Sequence, residues 1–297
     1  MTDDPAAARG ERRHLAAFLR QLREGTGATQ TEFGVRAGMN QAKVSRIEIG
    51  RQVPTRAEAA AWADAAQADE ATRGQLMDRL AAALTEVSTW ADELTGGFAA
   101  KQARLALSER NASVVRAYSL IVPGLLQTGE YARRLITMQA PLHGGRFGDL
   151  STALIAWLDR QQILYRTDGR FEFVIPEAAL RWRPGPDATP VLAAQMHHLS
   201  TMSTLSAVRL GIIPLQADTT VCVPHDFTIL GDPEVDEDVE VAIYTTTRAV
   251  RVREPGEIAT YLDVWARLCD SAVFDGAVAL LSALADEFAG RSHTQDG

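Results

Sequence analysis

The sequence contains few cysteines, few lysines and no long apolar segment. Its 297 residues include only two cysteines, Cys222 and Cys269, so neither a disulfide framework nor a structural zinc site is expected. No apolar run is long enough to span a membrane, and the first residues lack the apolar core of a signal peptide. We therefore expect a cytoplasmic protein without a membrane segment.

Motifs for catalysis and for metal or cofactor binding are also missing. No Ser, Thr or Cys lies in a nucleophile-elbow pattern, and no paired carboxylates indicate acid–base chemistry. His197 and His198 are adjacent, so on a helix they point about 100° apart and cannot bind one metal together. We expect no enzymatic activity, no cofactor and no metal site. An enzyme with a diffuse site is the remaining alternative.

Charge is distributed unevenly along the chain. Ten Arg or Lys and four Asp or Glu lie between Arg9 and Arg56, which gives this segment a net charge of +6. The whole chain carries −8, which leaves −14 for the remainder. A basic N-terminal module on an acidic body is typical of a protein that meets phosphates with one end only. Such asymmetry also arises by chance in modular proteins.

Residues 29–51, TQTEFGVRAGMNQAKVSRIEIGR, are the most informative segment. Their pattern predicts two short helices joined by a tight turn. Thr29 is predicted to cap a helix over residues 30–37, and Gly38 to end that helix in a left-handed conformation. Asn40 is predicted to cap the second helix.

The second helix presents a polar face of the kind that reads base edges in a major groove. Gln41 is the best candidate for a bidentate contact to adenine, and Arg46 for one to guanine, each worth ~1–3 kcal/mol of discrimination. The alternative for Arg46 is a phosphate contact, and the alternative for the motif is packing against protein. The predicted DNA-binding residues are Thr29, Gln30, Asn40, Gln41, Ala42, Lys43, Ser45, Arg46 and Arg51.

The chain is predicted to form two domains. An all-α domain of five helices covers residues 10–91, and its last helix is predicted to run from residue 69 to about residue 90. A glycine-containing linker follows at residues 92–100. Residues 101–290 are predicted to form an α+β domain with a mixed or antiparallel sheet.

Alternating patterns define the elements of the second domain. Strands are predicted at residues 113–119, 170–175, 207–213, 227–230, 239–244 and 249–253. Helices are predicted at residues 127–139, 149–165, 190–202, 255–269 and 274–288. The acidic segment of residues 231–238 is expected to be a solvated turn.

The first domain resembles a known family. Residues 15 to about 77, through LRQLREGTGATQTEFGVRAGMN and VSRIEIGRQVP, resemble Cro/C1-type (XRE family) helix-turn-helix domains. The resemblance implies that Gln30 contacts the phosphate backbone and that Gln41, Ala42 and Arg46 face base edges.

The same resemblance implies a structural ion pair. Arg23 in the first helix would pair with Glu48 near the end of the third, joining two helices. Removing one partner would leave the other charge uncompensated, at a cost of several kcal/mol.

The second domain also resembles a family. VPGLLQTGEYARRLI, followed by DRQQILYR, FVIPEAALRWR, AAQMHHL, IIPLQ and HDFTIL, is similar to a domain of unknown function (DUF5753-like). This domain follows helix-turn-helix modules in antitoxin-like regulators of GC-rich bacteria, often encoded beside a small partner protein. One departure lies near Tyr244, where the family's VYVET-like strand has a Glu and this chain reads VAIYT. Any role of that Glu is in doubt here.

The segment of residues 122–128 contains glycine but lacks the spacing of a phosphate-binding loop. It is predicted either to turn a strand into a helix, or to help form a ligand or partner pocket. The residues of that pocket would be Gln127, Thr128, Tyr131 and Arg160.

Together these features predict a sequence-specific DNA-binding transcriptional regulator of antitoxin-like character. Its predicted partners are a double-stranded DNA operator, a second copy of the chain in a homodimer, and a small protein encoded next to it. Dimers bind half-sites about one helical turn apart, which compensates for the short site that one reading helix covers. The alternative is a one-component regulator whose C-terminal domain senses a small molecule.

Overall fold

Five helices form the N-terminal part of the structure, a computed structural model that describes residues 8–293 and the side chains of residues 11–290. The helices are α1 (Ala8–Gly25), α2 (Gln30–Arg36), α3 (Gln41–Glu48), α4 (Arg56–Ala65) and α5 (Glu70–Leu84). Their shared apolar core contains Leu15, Leu19, Phe33, Val44, Ile47, Trp62, Leu76 and Leu80. The Trp62 indole also donates a hydrogen bond to the Leu19 carbonyl oxygen at 3.0 Å, which ties α4 to α1.

Side-chain caps set where these helices begin. The Thr55 hydroxyl accepts a hydrogen bond from the Glu58 backbone N–H, and the Glu58 carboxylate accepts one from the Thr55 N–H. Such a capping box satisfies two backbone donors that a helix start leaves unpaired. The Asp69 carboxylate caps α5 in a simpler way, by accepting from the Thr72 N–H at 2.8 Å.

The C-terminal part is built on one mixed seven-stranded sheet, so the predicted fold class is confirmed. The strands are β1 (Thr85–Thr89), β2 (Val115–Tyr118), β3 (Phe171–Pro176), β4 (Val208–Ile213), β5 (Phe227–Leu230), β6 (Glu240–Tyr244) and β7 (Arg248–Val252). Their order is β1-β7-β6-β5-β2-β3-β4. The β2, β3 and β4 strands are parallel, and the other neighbours pair antiparallel.

Helices cover both faces of the sheet. They are α6 (Trp90–Glu93), α7 (Gly97–Asn111), α8 (Gly129–Gln139), α9 (Leu150–Arg160), α10 (Glu177–Leu180), α11 (Ala188–Met202), α12 (Pro255–Asp270) and α13 (Ala277–His293). In β3, Phe173 packs into the core that contains α11 and α13, while its neighbour Val174 packs into the core that contains α12. Successive residues of a strand point to opposite faces, so a strand buried on both sides is mostly apolar, as β3 is apart from Glu172.

The predicted helix over residues 69–90 is wrong over its last six residues. Helix α5 ends at Leu84, and the next five residues form β1, paired antiparallel with β7. The burial of β1 is inverted relative to a usual surface strand, because Glu86 and Ser88 are buried while Val87 is exposed. A search for apolar periodicity does not detect a strand whose buried residues are polar.

Residues 92–100, predicted as a linker, contain the end of α6 and the start of α7. Gly96 and Gly97 both have a positive φ, which turns the chain between these two helices. Phe98 directly after them is buried. The domain boundary itself stays a prediction, although β1, which precedes it, belongs to the sheet of the second part.

Candidate nucleic-acid interface

The turn between α2 and α3 depends on a close approach of two backbones. A Cβ atom added to Gly34 would lie 2.6 Å from the Met39 carbonyl oxygen, so a larger residue would push the turn away from α2. Gly38 adopts a φ of +67°, which non-glycine residues rarely tolerate. This geometry fixes the angle at which α3 leaves the domain.

Helix α3 buries one side and leaves the start of the other side open. Val44 and Ile47 lie in the core, at 0% and 1% exposure. Gln41 and Ala42, at the first two positions of the helix, are exposed. The side of α3 that was predicted to enter a groove is therefore accessible at its N-terminal end.

A chain of hydrogen bonds orients Gln41. Its Nε2 donates to Gln30 Oε1 at 2.8 Å, and Gln30 Nε2 donates to Glu48 Oε2 at 2.8 Å. One N–H and the carbonyl oxygen of the Gln41 amide remain, and these are the groups that a bidentate contact to adenine uses.

Arg23 and Glu48 form a buried ion pair that anchors this chain. Arg23 Nε lies 2.5 Å from Glu48 Oε1, and Arg23 Nη2 lies 3.1 Å from Glu48 Oε2. Arg23 Nη1 also donates to the Ala28 carbonyl oxygen at 2.8 Å. The pair joins α1 to α3 and fixes the carboxylate that holds Gln30.

The other predicted DNA-binding residues have varied positions. Thr29 and Asn40 cap α2 and α3 with their side-chain oxygens. Lys43 pairs with Glu58 of α4, and Ser45 is half-buried. Arg51 is exposed after the end of α3.

Arg46 is in contact with the second part of the molecule. Its Nη2 lies 2.7 Å from Glu237 Oε1, and Arg12 Nη2 lies 2.8 Å from Asp238 Oδ2. Both carboxylates belong to residues 231–238, which we call the acidic loop. Five of the eight residues of the acidic loop are exposed, as expected of a solvated turn, but two of its carboxylates also face the basic helical domain.

A third ion pair between the two parts lies at the start of α4. Arg56 Nε is 3.1 Å from Glu254 Oε2, just before α12. The contacts of Arg12, Arg46 and Arg56 match the charge asymmetry of the sequence, with basic groups on one side and acidic groups on the other. Of these three residues only Arg46 lies on α3, and the N-terminal end of that helix stays open.

Two of the four predicted pocket residues line a common cavity, and the other two do not. Gln127 and Arg160 line a cavity of about 240 Å³ beside the sheet. Thr128 instead caps α8, and Tyr131 is fully buried in the apolar core. Arg160 pairs with the carboxylate of Glu109 on α7.

Comparisons with known proteins identify families for both parts of the chain. Residues 14–76 match a family described as a helix-turn-helix domain. Residues 102–277, more than half of the chain, match the family described as a domain of unknown function, DUF5753. The chain belongs to this family. Searches of the curated proteins and of the solved structures gave no match.

Sequence reasoning missed a cluster of buried charges between the DUF5753 domain and the segment before it. Glu93 accepts hydrogen bonds from both Arg251 terminal nitrogens, at 2.8 and 3.1 Å, and from the Ser88 hydroxyl at 2.6 Å. These contacts and the nearby Lys101 lower the pKa of Glu93 to about 2, although its burial acts in the opposite direction. One signal was present in the sequence, since Lys101 is one of only two lysines.

Two kinds of feature are absent from residues 8–293. No helix in this range is both long and apolar enough to cross a membrane. Within the same range, no group of three or more His, Cys, Asp and Glu side chains is arranged to hold a metal ion.

Proposed function

We propose that this protein is a cytoplasmic transcriptional regulator of the Cro/C1 type, which binds a specific double-stranded DNA site through α3. The observation that carries the proposal is the exposed N-terminal end of α3, where Gln41 is held by Gln30. Preorganised amide groups at the start of a helix match the donor and acceptor pattern of the major groove. The family match of residues 14–76 supports the same function.

Base reading is assigned to two residues. Gln41 contacts adenine and Arg46 contacts guanine, and each contact contributes ~1–3 kcal/mol of discrimination. Arg46 is available to DNA only when it leaves Glu237, so the acidic loop competes with the operator for this guanidinium. Because both ion-pair partners are partly exposed, the competition is modest in energy.

The wider role that we propose is antitoxin-like. A homodimer would place two α3 helices on half-sites about one turn, ~34 Å, apart. The acidic second part would bind a small protein encoded next to the regulator. Sensing of a small molecule is a second candidate role, supported by the cavity that Gln127 and Arg160 line.

Binding to the chain's own promoter region tests the proposal. Fluorescence anisotropy at low salt, followed by footprinting, should reveal one protected site with two related halves. Arg46→Ala should relax base preference at one position of each half, whereas Arg79→Gln, which removes a charge from α5, should not. A uniform loss of affinity on every sequence would reject the guanine contact, and no binding to any promoter fragment would reject the function.

Light scattering and co-purification test the wider role. A monomer both on and off DNA would contradict the homodimer. Co-purification with the product of an adjacent small gene would support the protein partner, and its absence would contradict that part.

A further inference from the structure

The cavity that Gln127 and Arg160 line has six aromatic side chains in its walls, beside aliphatic and polar ones. It lies between the β2, β5 and β6 strands and the α7, α8 and α9 helices. The Phe98 and Trp157 rings stack there at 8° to each other, with centroids 5.5 Å apart. A cavity of ~150 Å³ with an apolar lining takes up benzene, so about 240 Å³ leaves room for a molecule of one or two rings.

Two polar atoms of the lining lack partners. Gln127 Oε1 and Tyr244 Oη are buried and form no hydrogen bond with any residue that the structure describes. Gln127 uses only its Nε2, which donates to the Val122 carbonyl oxygen at 2.7 Å. Buried polar atoms are nearly always paired, and an unpaired one destabilises the folded state. The Tyr244 hydroxyl can donate a hydrogen bond to a ligand's oxygen, whereas Gln127 Oε1 only accepts and would pair with a ligand N–H or O–H.

A buried lysine completes the lining. Lys101 is 5% exposed, and its Nζ lies 3.6 Å from the centroid of the Trp90 ring and 4.6 Å from that of Tyr244. Among the described residues no carboxylate forms an ion pair with it, because Glu93 is held by Arg251. Burial lowers the pKa of Lys101 to about 7, against the negative charge of Glu93, which raises it. The positive charges of Arg251, Arg160 and Arg104 add to the effect of burial.

We propose that this cavity binds a small planar aromatic carboxylate, with the carboxylate on Lys101 Nζ and the ring between the aromatic walls. The residue type fits this role. An arginine would remain charged in an empty cavity, whereas a lysine releases its proton and takes it up again when an anion arrives. The proposal deepens the ligand-sensing role named above and rests on it, but it does not depend on DNA binding.

The position of the cavity relates it to the helix-turn-helix domain. Lys101 and Tyr244 also line a second, larger cleft of about 770 Å³, whose other residues include Arg12, Glu237 and Asp238. A carboxylate on Lys101 therefore lies along the same cleft as the ion pair between Arg12 and the acidic loop.

A matched pair of probes tests the charge requirement. The probes are 2-naphthoate and its neutral analogue 2-naphthamide, titrated by calorimetry into the full chain without DNA. We expect 2-naphthoate to bind at one site per chain, about tenfold or more tightly than 2-naphthamide, because a buried charge-assisted contact is worth at least that factor. Absence of binding at millimolar 2-naphthoate, or equal binding of both probes, would overturn the proposal.

Variants test the location. Lys101→Met should abolish the preference for the anion. Leu105 lines both the cavity and the cleft, so Leu105→Trp should block both probes. Leu142→Ser removes an exposed apolar side chain elsewhere on the surface and should change neither affinity. If 2-naphthoate binding survived both of the first two variants, the assignment to this cavity would be wrong.

Proton uptake gives a readout that needs no variant. Near pH 8 most of Lys101 is neutral in the free protein, and a bound carboxylate raises its pKa, so binding should take up a proton; near pH 6 it should not. Calorimetry in buffers of different ionisation enthalpy measures this uptake.

The charged or titratable groups near Lys101 are Glu93, Arg104, His143, Arg160, Tyr244 and Arg251. Binding without uptake near pH 8 would reject Lys101 as the anchor, and because no DNA is present, either proposal can fail alone.

Discussion

In the helix-turn-helix domain the charged side chains lie at the surface except for one pair, Arg23 and Glu48, whereas the α+β domain buries many more. The buried charged residues of the second part are Glu86, Glu93, Lys101, Glu109, Glu172, Glu177 and Arg253. The first domain is thus held mainly by an apolar core and caps, and its other charged groups remain at the surface. In the second domain several charged groups lie inside, some of them around the cavity and along β1. Substitutions should therefore act differently in the two regions.

Breaking the one buried pair of the helical domain should have the largest effect. Arg23→Ala leaves Glu48 buried without its partner and should lower the free energy of unfolding by about 3–5 kcal/mol. Urea unfolding followed by circular dichroism measures the loss. Replacing both residues by methionine should recover most of it, and Arg20→Ala, in an exposed pair with Glu24, should have little effect. A small loss for Arg23→Ala would show that the two domains do not differ in this respect.

Removing the buried lysine of the second domain should increase the free energy of unfolding, in contrast to Arg23→Ala. Lys101→Met should raise the free energy of unfolding at neutral pH by about 1–4 kcal/mol, because an apolar side chain replaces an unpaired buried charge. Lys101 titrates at a pKa of about 7 in the folded chain and at its ordinary value of 10.5 when unfolded. The unfolded chain thus binds more protons between these two values, so wild-type stability gains on the variant as pH rises through that window.

The difference between the two unfolding curves, taken at each pH, isolates this lysine. The advantage of Lys101→Met should be full below pH 7 and should shrink toward pH 10.5. A variant that is less stable than the wild type at every pH would show that the contacts with Trp90 and Tyr244 outweigh the burial of the charge.

Losing a helix cap should lower the free energy of unfolding more than losing an exposed hydroxyl inside a helix. Thr55→Ala removes one half of the capping box of α4 and should cost about 1 kcal/mol in the same unfolding assay. Thr31→Ala, an exposed threonine inside α2, is the matched control and should cost nothing. Equal losses for the two substitutions would show that the Thr55 cap does not stabilise this domain.

The contact between the two regions should give the smallest effect. Glu237→Gln combined with Asp238→Asn frees Arg46 and Arg12, and should raise DNA affinity by less than about tenfold, since exposed ion pairs contribute ~0.2–1 kcal/mol. Glu234→Gln makes the same kind of charge change in the acidic loop at a residue without an ion pair to the helical domain. An equal gain for Glu234→Gln would indicate a general charge effect instead of competition for Arg46.

Local signals accounted for much of the fold. The caps at Thr29 and Asn40, the glycine turn and the apolar spacing predicted α2 and α3, because each of these signals acts within a few residues. The strands β2 to β7 were predicted within about two residues for a similar reason. The strand order, with β1 next to β7, depends on chain topology and leaves no local signal.

The buried ion pairs and the cavity of the second domain were harder to predict. Glu93 and Arg251 are 158 residues apart in the chain, so no spacing rule connects them. Helix α7 was overlooked because Gly96 and Gly97 indicate a break, although the break lies at its first turn. Of the proposed pocket residues, Gln127 and Arg160 reach the cavity. The rarity of lysine was the one signal for Lys101, and it did not indicate that this side chain lines a cavity.

The pairing of β1 with β7 has a mechanical consequence. Helix α5 runs directly into β1, and the Leu84 carbonyl oxygen accepts a hydrogen bond from the Arg253 N–H at 2.7 Å. The helical domain is therefore attached to the edge strand of the sheet. Severing the chain between the two regions at residue 91 would strip β7 of its neighbour and leave Arg253 without Glu86. The two regions should be expressed as one chain, because a displacement of β1 would also displace the helical domain that carries α3.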